Sequence, residues 1–466
     1  MDTILYFDVE DSVSPPENGA DDIVLWLAQT LDRHGLKGSF HIIGDKVRTM
    51  AQRRRDDIFA ALRRHDVSSH YNTGSVHPTT TALVAASDWE GGVAIAMERE
   101  IPGFADIQRI AGKCTGLTRH GGSYAPQIVH AAGRDGRVFY GLPFHPPRHR
   151  AFWFAGTLCF SSTGLIFTDD NQAGPAALEG VYPNTAAFDA QLITLGDAIS
   201  QTAAQWSFTA LFGSHPHRMN ATQFACWNHY HGVNRHPPQP PPLRPEAERQ
   251  TIRANFERYA AFLASRRELA VQGLDDLQRA YGSRPTHVSR PDLLSYARAV
   301  LAGDDVPLHD TLSPAELLVA LAHAVQGKAD AIARAHVIGP KRLPREAQAM
   351  EMSRAEVLGL ARALLDAVGR SDERCAVCLP ESLPHAGGSV PLSALLGLWS
   401  SALTSDEATT TLRSAARAAY PRCAQAWRSQ IQAMATWRVF PPNLDLSTII
   451  DLSCAQAWSV APAQRS

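Results

Sequence analysis

Thr3-Ile4-Leu5-Tyr6-Phe7-Asp8-Val9-Glu10-Asp11 reads as a strand that runs straight into a cluster of acids. The run from Thr3 to Phe7 is apolar and rich in β-branched and aromatic residues, the pattern of a strand buried on both faces. Alternation along a strand sends Asp8 and Glu10 to one side, while a turn after the strand swings Asp11 in as well. Two later stretches supply imidazoles. His70-Tyr71-Asn72-Thr73-Gly74-Ser75-Val76-His77 follows a short strand at 66–69, and Gly213-Ser214-His215-Pro216-His217 closes a strand at 207–213. A carboxylate plus two histidines is a ligand set for zinc or a related divalent metal. Carboxylates and a histidine left over are the groups that general acid–base chemistry uses.

Outward from these stretches, the first part of the chain alternates strand and helix. Residues 21–34 have helical spacing, with Ile23, Leu27 and Leu31 on one face. Gly38 to Gly44 predicts a second strand, 56–64 a helix, and 137–142 and 151–160 further strands. This alternation predicts a parallel α/β fold. In barrels of that kind chemistry sits where strands end, and Asp8, His70 and His215 all lie just past predicted strands. Pro237 to Pro245 is proline-rich and predicts an extended surface connection ahead of a helix at 246–265.

From about residue 286 the pattern turns helical. Ser289-Arg-Pro-Asp, Ser313-Pro-Ala-Glu and Ser353-Arg-Ala-Glu each place a capping serine three residues before an acid and ahead of an apolar run. Weaker copies start at Pro391 and Asp445. Their uneven spacing argues against a regular solenoid. The expected division is an α/β barrel at 1–285 followed by an all-α domain with internal duplication at 286–466.

Composition narrows the function classes. The chain has 466 residues, 45% of them hydrophobic, which is globular. Net charge is −2, from 44 basic and 46 acidic residues, so no basic excess marks a nucleic-acid binder. The main basic cluster, Arg53-Arg54-Arg55 with Arg63 and Arg64, reads as a solvated helix face. No charged leader precedes an apolar stretch and no apolar run is long enough to span a bilayer, so a cytoplasmic location is expected. Seven scattered cysteines do not form a disulfide framework. Cys375-Ala-Val-Cys378 is a lone CxxC without the second pair a structural zinc needs.

Five segments, in order, resemble the motifs of the polysaccharide deacetylase (NodB-homology) family over roughly residues 3–280. They are Phe7-Asp8-Val9-Glu10-Asp11, Gly38-Ser39-Phe40-His41-Ile42-Ile43-Gly44, Asp66-Val67-Ser68-Ser69-His70, Arg119-His120-Gly121-Gly122-Ser123-Tyr124, and Phe212-Gly213-Ser214-His215-Pro216. The resemblance implies a distorted (β/α) barrel that removes an N- or O-acetyl group from a sugar. It implies a divalent metal, zinc in the simplest case, held by Asp11 or Glu10 with His70 and His77. It implies Asp8 as the base that takes a proton from the attacking water, and His215 as the acid that protonates the leaving group. Arg119 would orient Asp8 and keep it ionised, and a backbone amide near Tyr124 would help hold the oxyanion. The helix-start pattern of the second part is also similar, over short stretches, to pseudomurein-binding repeats, which implies glycan binding.

The chain departs from the family pattern in three places. The family's second metal histidine stands four residues after the first, where this chain has Gly74; the next histidine is His77. In the third motif, glycine replaces the family's usual proline near Arg119; between Glu10 and Asp11 the metal acid stays open, with Asp11 slightly favoured. The supporting acid pair of the fourth motif has only Asp169 and Asp170 as its nearest candidates. The expected function is a metal-dependent deacetylase acting on an acylated sugar or glycan precursor, with homo-oligomerisation left open. The alternatives are a catalytically degenerate glycan-binding protein on the same fold, or a metal-independent hydrolase of small cyclic amides.

Overall fold

A computed structural model describes residues 1–162, 178–327, 329–369, 376–385 and 388–466. Asp169, Asp170 and Cys375 lie outside the described residues. The first acidic strand, β1 (Asp2–Val9), sits deep in a sheet of ten strands among the described residues. On one side it pairs in parallel with β2 (Gly38–Ile42), followed by β3 (Asp66–Ser69), β4 (Gly116–Thr118) and β5 (Val138–Leu142). A hairpin of β6 (Ala151–Phe154) and β7 (Thr157–Ser161) extends this edge. On the other side β1 pairs in parallel with β8 (Phe208–Ser214), while on the β2 side its first residues, which β2 does not reach, pair in parallel with β9 (Ala270–Gln272). The expected strand at 151–160 is therefore two strands. The chain reverses at Ala155-Gly156, both at positive φ, a turn without the Asn-Gly signature that flags most tight hairpins.

The sheet curls. Phe160 of β7 and Phe208 of β8 stand far apart in strand order, yet their rings lie 5.2 Å apart. The alternation of β1 assigns its two faces. Tyr6 points into the curl, where it meets Tyr140 of β5 and Phe212 of β8 at ring distances of 5.1 and 5.0 Å. Phe7 points outward, stacked on Phe40 at 5.1 Å and edge-on to Phe256 at 5.9 Å. Phe256 belongs to the helix Glu246–Ser265, which forms as the spacing predicts. Helix Ala20–Arg33 packs Leu27 and Leu31 into the same outer layer. Asp8 lies on the Tyr6 side, and Glu10 continues that side past the strand's end.

The second half carries its own apolar cluster, around Leu317, Leu321, Leu364, Leu395 and Trp399. Its helices start where the serine pattern places them. Ser313 and Ser353 each close a capping box with Glu316 and Glu356, and the Ser289 hydroxyl accepts from the Asp292 amide. Glu316 is buried and held between Arg284 at 2.7 Å and Arg334 at 3.0 Å. The all-α expectation for this half is corrected. Among the described residues four two-stranded ladders run through it: His287–Ser289 with Ala331–Ala333, Val337–Ile338 with Val377–Cys378, Met350–Ser353 with Thr411–Ser414, and Ser382–His385 with Gly388–Pro391. Each strand has only two to four residues, too few for a period of two to show beside the helical pattern.

The chain then returns to its first half. Helices Gln425–Met434 and Ser447–Gln456 send Trp427, Ile431, Met434 and Ile449 into the apolar cluster around the curled sheet, and Ala461–Pro462 pairs with β6. Trp427 stacks on Phe144 at 4.2 Å. This tail therefore completes the structure that positions the site.

Candidate functional site

Four parallel strands deliver the site at their C-terminal ends, the end that carries chemistry in α/β sheets. β1 supplies Asp8 and Glu10. β3 delivers His70, the residue after its last, and the His70 amide continues the ladder to the Ile42 carbonyl at 3.0 Å. β4 delivers His120 two residues past its end, and β8 delivers His215 as the next residue. Glu10 Oε1 stands 3.3 Å from His70 Nε2, 3.3 Å from His120 Nε2 and 3.8 Å from His215 Nε2. Asp8 Oδ2 stands 3.7 Å from His70 Nε2 and 3.9 Å from His215 Nε2. Two acids and three rings thus share one partly enclosed volume.

Hydrogen bonds fix the tautomer of His70. The Thr118 hydroxyl donates to the Ser69 carbonyl at 3.0 Å, so its lone pair receives the His70 Nδ1–H at 2.9 Å. The Nε2 lone pair then faces Glu10 and Asp8. Burial pushes the His70 pKa down, so the ring is neutral at physiological pH. That nitrogen is buried without a hydrogen-bond partner among the described residues. Burial alone would raise both acids. The rings of His41 and His215 at Asp8, and those of His120 and His215 at Glu10, oppose this, and both acids are held ionised, below the usual carboxylate range. A lone pair aimed at carboxylates is electrostatically unfavourable unless a cation lies between them. Glu10, His70 and His120 have ligand atoms within 4.8 Å of one another and form a carboxylate–histidine–histidine set that fits zinc or a similar divalent ion.

His215 is prepared differently. Glu179 Oε1 accepts its backbone amide at 2.6 Å, and both Glu179 oxygens lie 3.2 Å from its Nδ1. Burial works against the charged ring, but Glu179, then Glu10 and Asp8, raise its pKa to about 9. At neutral pH the ring is protonated, with Nε2–H aimed at the acids. Neighbouring His217 goes the other way: burial drops it to about 4, and its Nε2 accepts the Ala225 amide.

The remaining residues singled out in the sequence fall around this centre rather than in it. Asp11 turns back on its own chain, its Oδ1 accepting the Val13 and Ser14 amides at 3.0 and 2.9 Å. It is absent from the clustered donors, so Glu10 is the acid the strand alternation carries into the site. His77 also stands apart. Its Nε2 meets the His229 carbonyl at 3.1 Å, and its backbone is clamped by Asn234. Arg119 makes no ion pair with Asp8; its guanidinium reaches Met434 Sδ and Ser162 Oγ. The Tyr124 hydroxyl is buried against Ser453 Oγ at 2.9 Å.

Three residues at the site were missed in the sequence: His120, Glu179 and His41. Gly74 shows how His120 enters. It sits at a positive φ of 54°, and a Cβ there would lie 3.7 Å from His120 Nε2. The space of an imidazole four residues after His70 is filled from the next strand. His120 had a signal, since it stands beside Arg119 in a matched motif; Glu179, 36 residues before its partner, had none. The C-terminal tail closes over the same corner. The Trp437 ring lies 5.2 Å from that of His120, and a Cβ on Gly121 would fall 2.1 Å from Trp437, so the tail's approach demands glycine there. A cavity of about 30 Å³ opens beside Glu10 and His120, bordered by Ser75, Ala225, Cys226 and His229.

No protein-family model and no curated protein matches the chain. Among solved structures, the chain is similar to a Mycobacterium smegmatis protein described as a polysaccharide deacetylase, at 14% identity and a TM-score of 0.35, covering 60% of this chain and 88% of that one. It is also similar to a family 4 acetyl xylan esterase from Clostridium thermocellum in complex with a cobalt ion, at 14% identity and a TM-score of 0.28, covering 60% and 91%. A 4-alpha-glucanotransferase from Thermococcus litoralis aligns at 9% identity and a TM-score of 0.36, covering 60% and 40%. Similarity at this level carries no weight for the chemistry, which rests on the side-chain geometry.

The His215–Glu179 pair gives a signed expectation. A pKa raised from 6.5 to about 9 in the fold contributes stability that is complete below pH 6.5 and is lost as pH climbs through 9. The metal-free protein should therefore lose thermal stability between pH 7 and 9.5. Glu179→Gln should flatten that part of the profile; equal slopes for both proteins would refute the pairing.

Proposed function

We propose that the protein is a metal-dependent hydrolase that removes a short acyl group, acetyl in the simplest case, from a sugar or glycan precursor. The observation that carries the hydrolase half of this reading is the convergence of Asp8 and Glu10 with His70, His120 and His215 at the ends of four strands. The sugar half rests on the resemblance of the five motifs.

In this reading Glu10, His70 and His120 hold a divalent cation, with zinc the ion that suits the donor set. Bound there, such an ion supplies Lewis-acid polarisation of a carbonyl and lowers the pKa of water. The chain's own groups do the proton work. Asp8, ionised and turned toward the same volume, accepts the proton of the attacking water. His215 starts protonated because Glu179 holds its charge, and its Nε2–H is the donor for the departing amine or alcohol oxygen. Base and acid stand 3.9 Å apart on one rim of the site, so both are within reach of the atoms of one scissile bond. The cavity beside Glu10, bordered by Ser75, Ala225, Cys226 and His229, is the seat of the acyl group in this reading, with a short acyl group as its occupant. The helices and ladders of the second half are proposed as a glycan-binding or assembly region. No helix among the described residues is long and apolar enough to cross a membrane.

The test is acyl release from acetylated sugars and from 4-nitrophenyl esters by the zinc-loaded protein. Asp8→Asn should lower kcat by about 10²–10⁴-fold while metal content stays unchanged. Full activity in that variant would remove Asp8 from the mechanism. Acetyl esters should be turned over at least about 10-fold faster than butyryl esters; the reverse order would contradict a short acyl group as the occupant.

A further inference from the structure

Asp8 and His41 face each other across the β1–β2 ladder as directly paired residues, and Ser39 is paired in the same way with Asp66 across β2–β3. Alternation puts all four side chains on the inner face of the sheet. They form one hydrogen-bonded row. His41 Nδ1 lies 3.1 Å from Asp8 Oδ1, His41 Nε2 lies 3.2 Å from Ser39 Oγ, and Ser39 Oγ lies 2.5 Å from Asp66 Oδ2. Asp66 is anchored further by Thr115 Oγ1 at 2.6 Å and Ser68 Oγ at 3.3 Å. An ionised carboxylate only accepts hydrogen bonds, so the proton shared with Asp8 belongs to His41 Nδ1. The imidazole is fully enclosed. It stacks on Tyr6 at 5.1 Å with a 17° angle between the rings, and Tyr140 stands 5.4 Å away.

We infer that His41 is the residue that positions Asp8, through a buried row that ends on Asp66. The role rests on the reading of Asp8 as the base. Binding Oδ1 from behind leaves Oδ2 as the oxygen turned toward His70 and His215. The motif resemblance gives this task to Arg119, which spends its guanidinium on Met434 and Ser162 instead. A ring wedged between Tyr6 and Ser39 has little freedom, so it fixes the carboxylate more tightly than a flexible side chain would. Positioning of this kind acts on turnover rather than on substrate affinity, because misplacing a reacting group by about 1 Å can cost about 10²-fold in rate.

His41→Phe keeps a ring against Tyr6 and removes both nitrogens. His41→Asn restores one N–H donor near the Nδ1 position. With 4-nitrophenyl acetate as probe and the zinc-loaded proteins compared at equal metal content, His41→Phe should lower kcat by about 10²-fold with KM within about 3-fold. His41→Asn should recover at least about 10-fold of that loss. Unchanged kcat in His41→Phe, or equal losses in both variants, would overturn the inference. A wild-type protein that turns over neither this ester nor acetylated sugars would sink the hydrolase reading instead. The contact is then decided by ¹⁵N-histidine spectra of the same protein. A protonated Nδ1 on His41 whose proton resonance shifts in Asp8→Ala supports the pairing, and a resonance indifferent to that change refutes it.

Discussion

Two carboxylates of one strand end, Asp8 and Glu10, are carried into the inside of a curled sheet, with only 14% and 8% of their side chains exposed. Taking two like charges out of water at such short separation is costly unless positive charge or donated protons meet them. Much of the neighbouring structure answers that demand. β2 brings the N–H of His41, β8 brings a protonated His215 with Glu179 behind it, and β3 and β4 bring two rings that face Glu10. His70 turns its lone pair, not its proton, toward the acids. That choice, enforced by Thr118, makes the centre fit a divalent cation rather than a network of hydrogen bonds alone.

The second half of the chain is tied to this centre through its last segment. Trp437 sits against His120, Met434 against Arg119 and Ser453 against Tyr124, while the tail's last strand extends the sheet at β6. Residues that resemble a barrel-family motif, Arg119 to Tyr124, are thus occupied in receiving the tail. Gly121 and Gly122 are small for the same reason: side chains there would collide with Trp437 and the Met434 carbonyl. The wall of the site beside His120 is built by residues more than three hundred positions later in the chain.

Much of the parallel α/β core was legible because its signals are local. The runs at 3–7, 38–44, 66–69 and 207–213 became strands, and acids or histidines at their ends became neighbours. Where inference depended on a contact across the sheet, it lost resolution. His41 reads as one polar residue in an apolar strand, and only the register with Asp8 shows what it holds. Glu179 sits in a turn with no motif around it. His77 is the next histidine in the same segment after Gly74; the fold instead brings an imidazole from another strand into the space above Gly74. The short ladders after residue 286 were hidden because each contains at most four residues per strand and all but the Val337–Ile338 ladder run straight into a helix start.

The most direct test of the centre is metal stoichiometry, with Co²⁺ as a visible probe of ligation. The purified protein should bind about one equivalent of zinc or cobalt per chain. His120→Ala should lose that ion and the absorption bands of histidine-ligated cobalt, while His77→Ala keeps both. Loss of metal in His77→Ala with retention in His120→Ala would contradict the assignment, as would a folded protein that takes up no divalent ion at all.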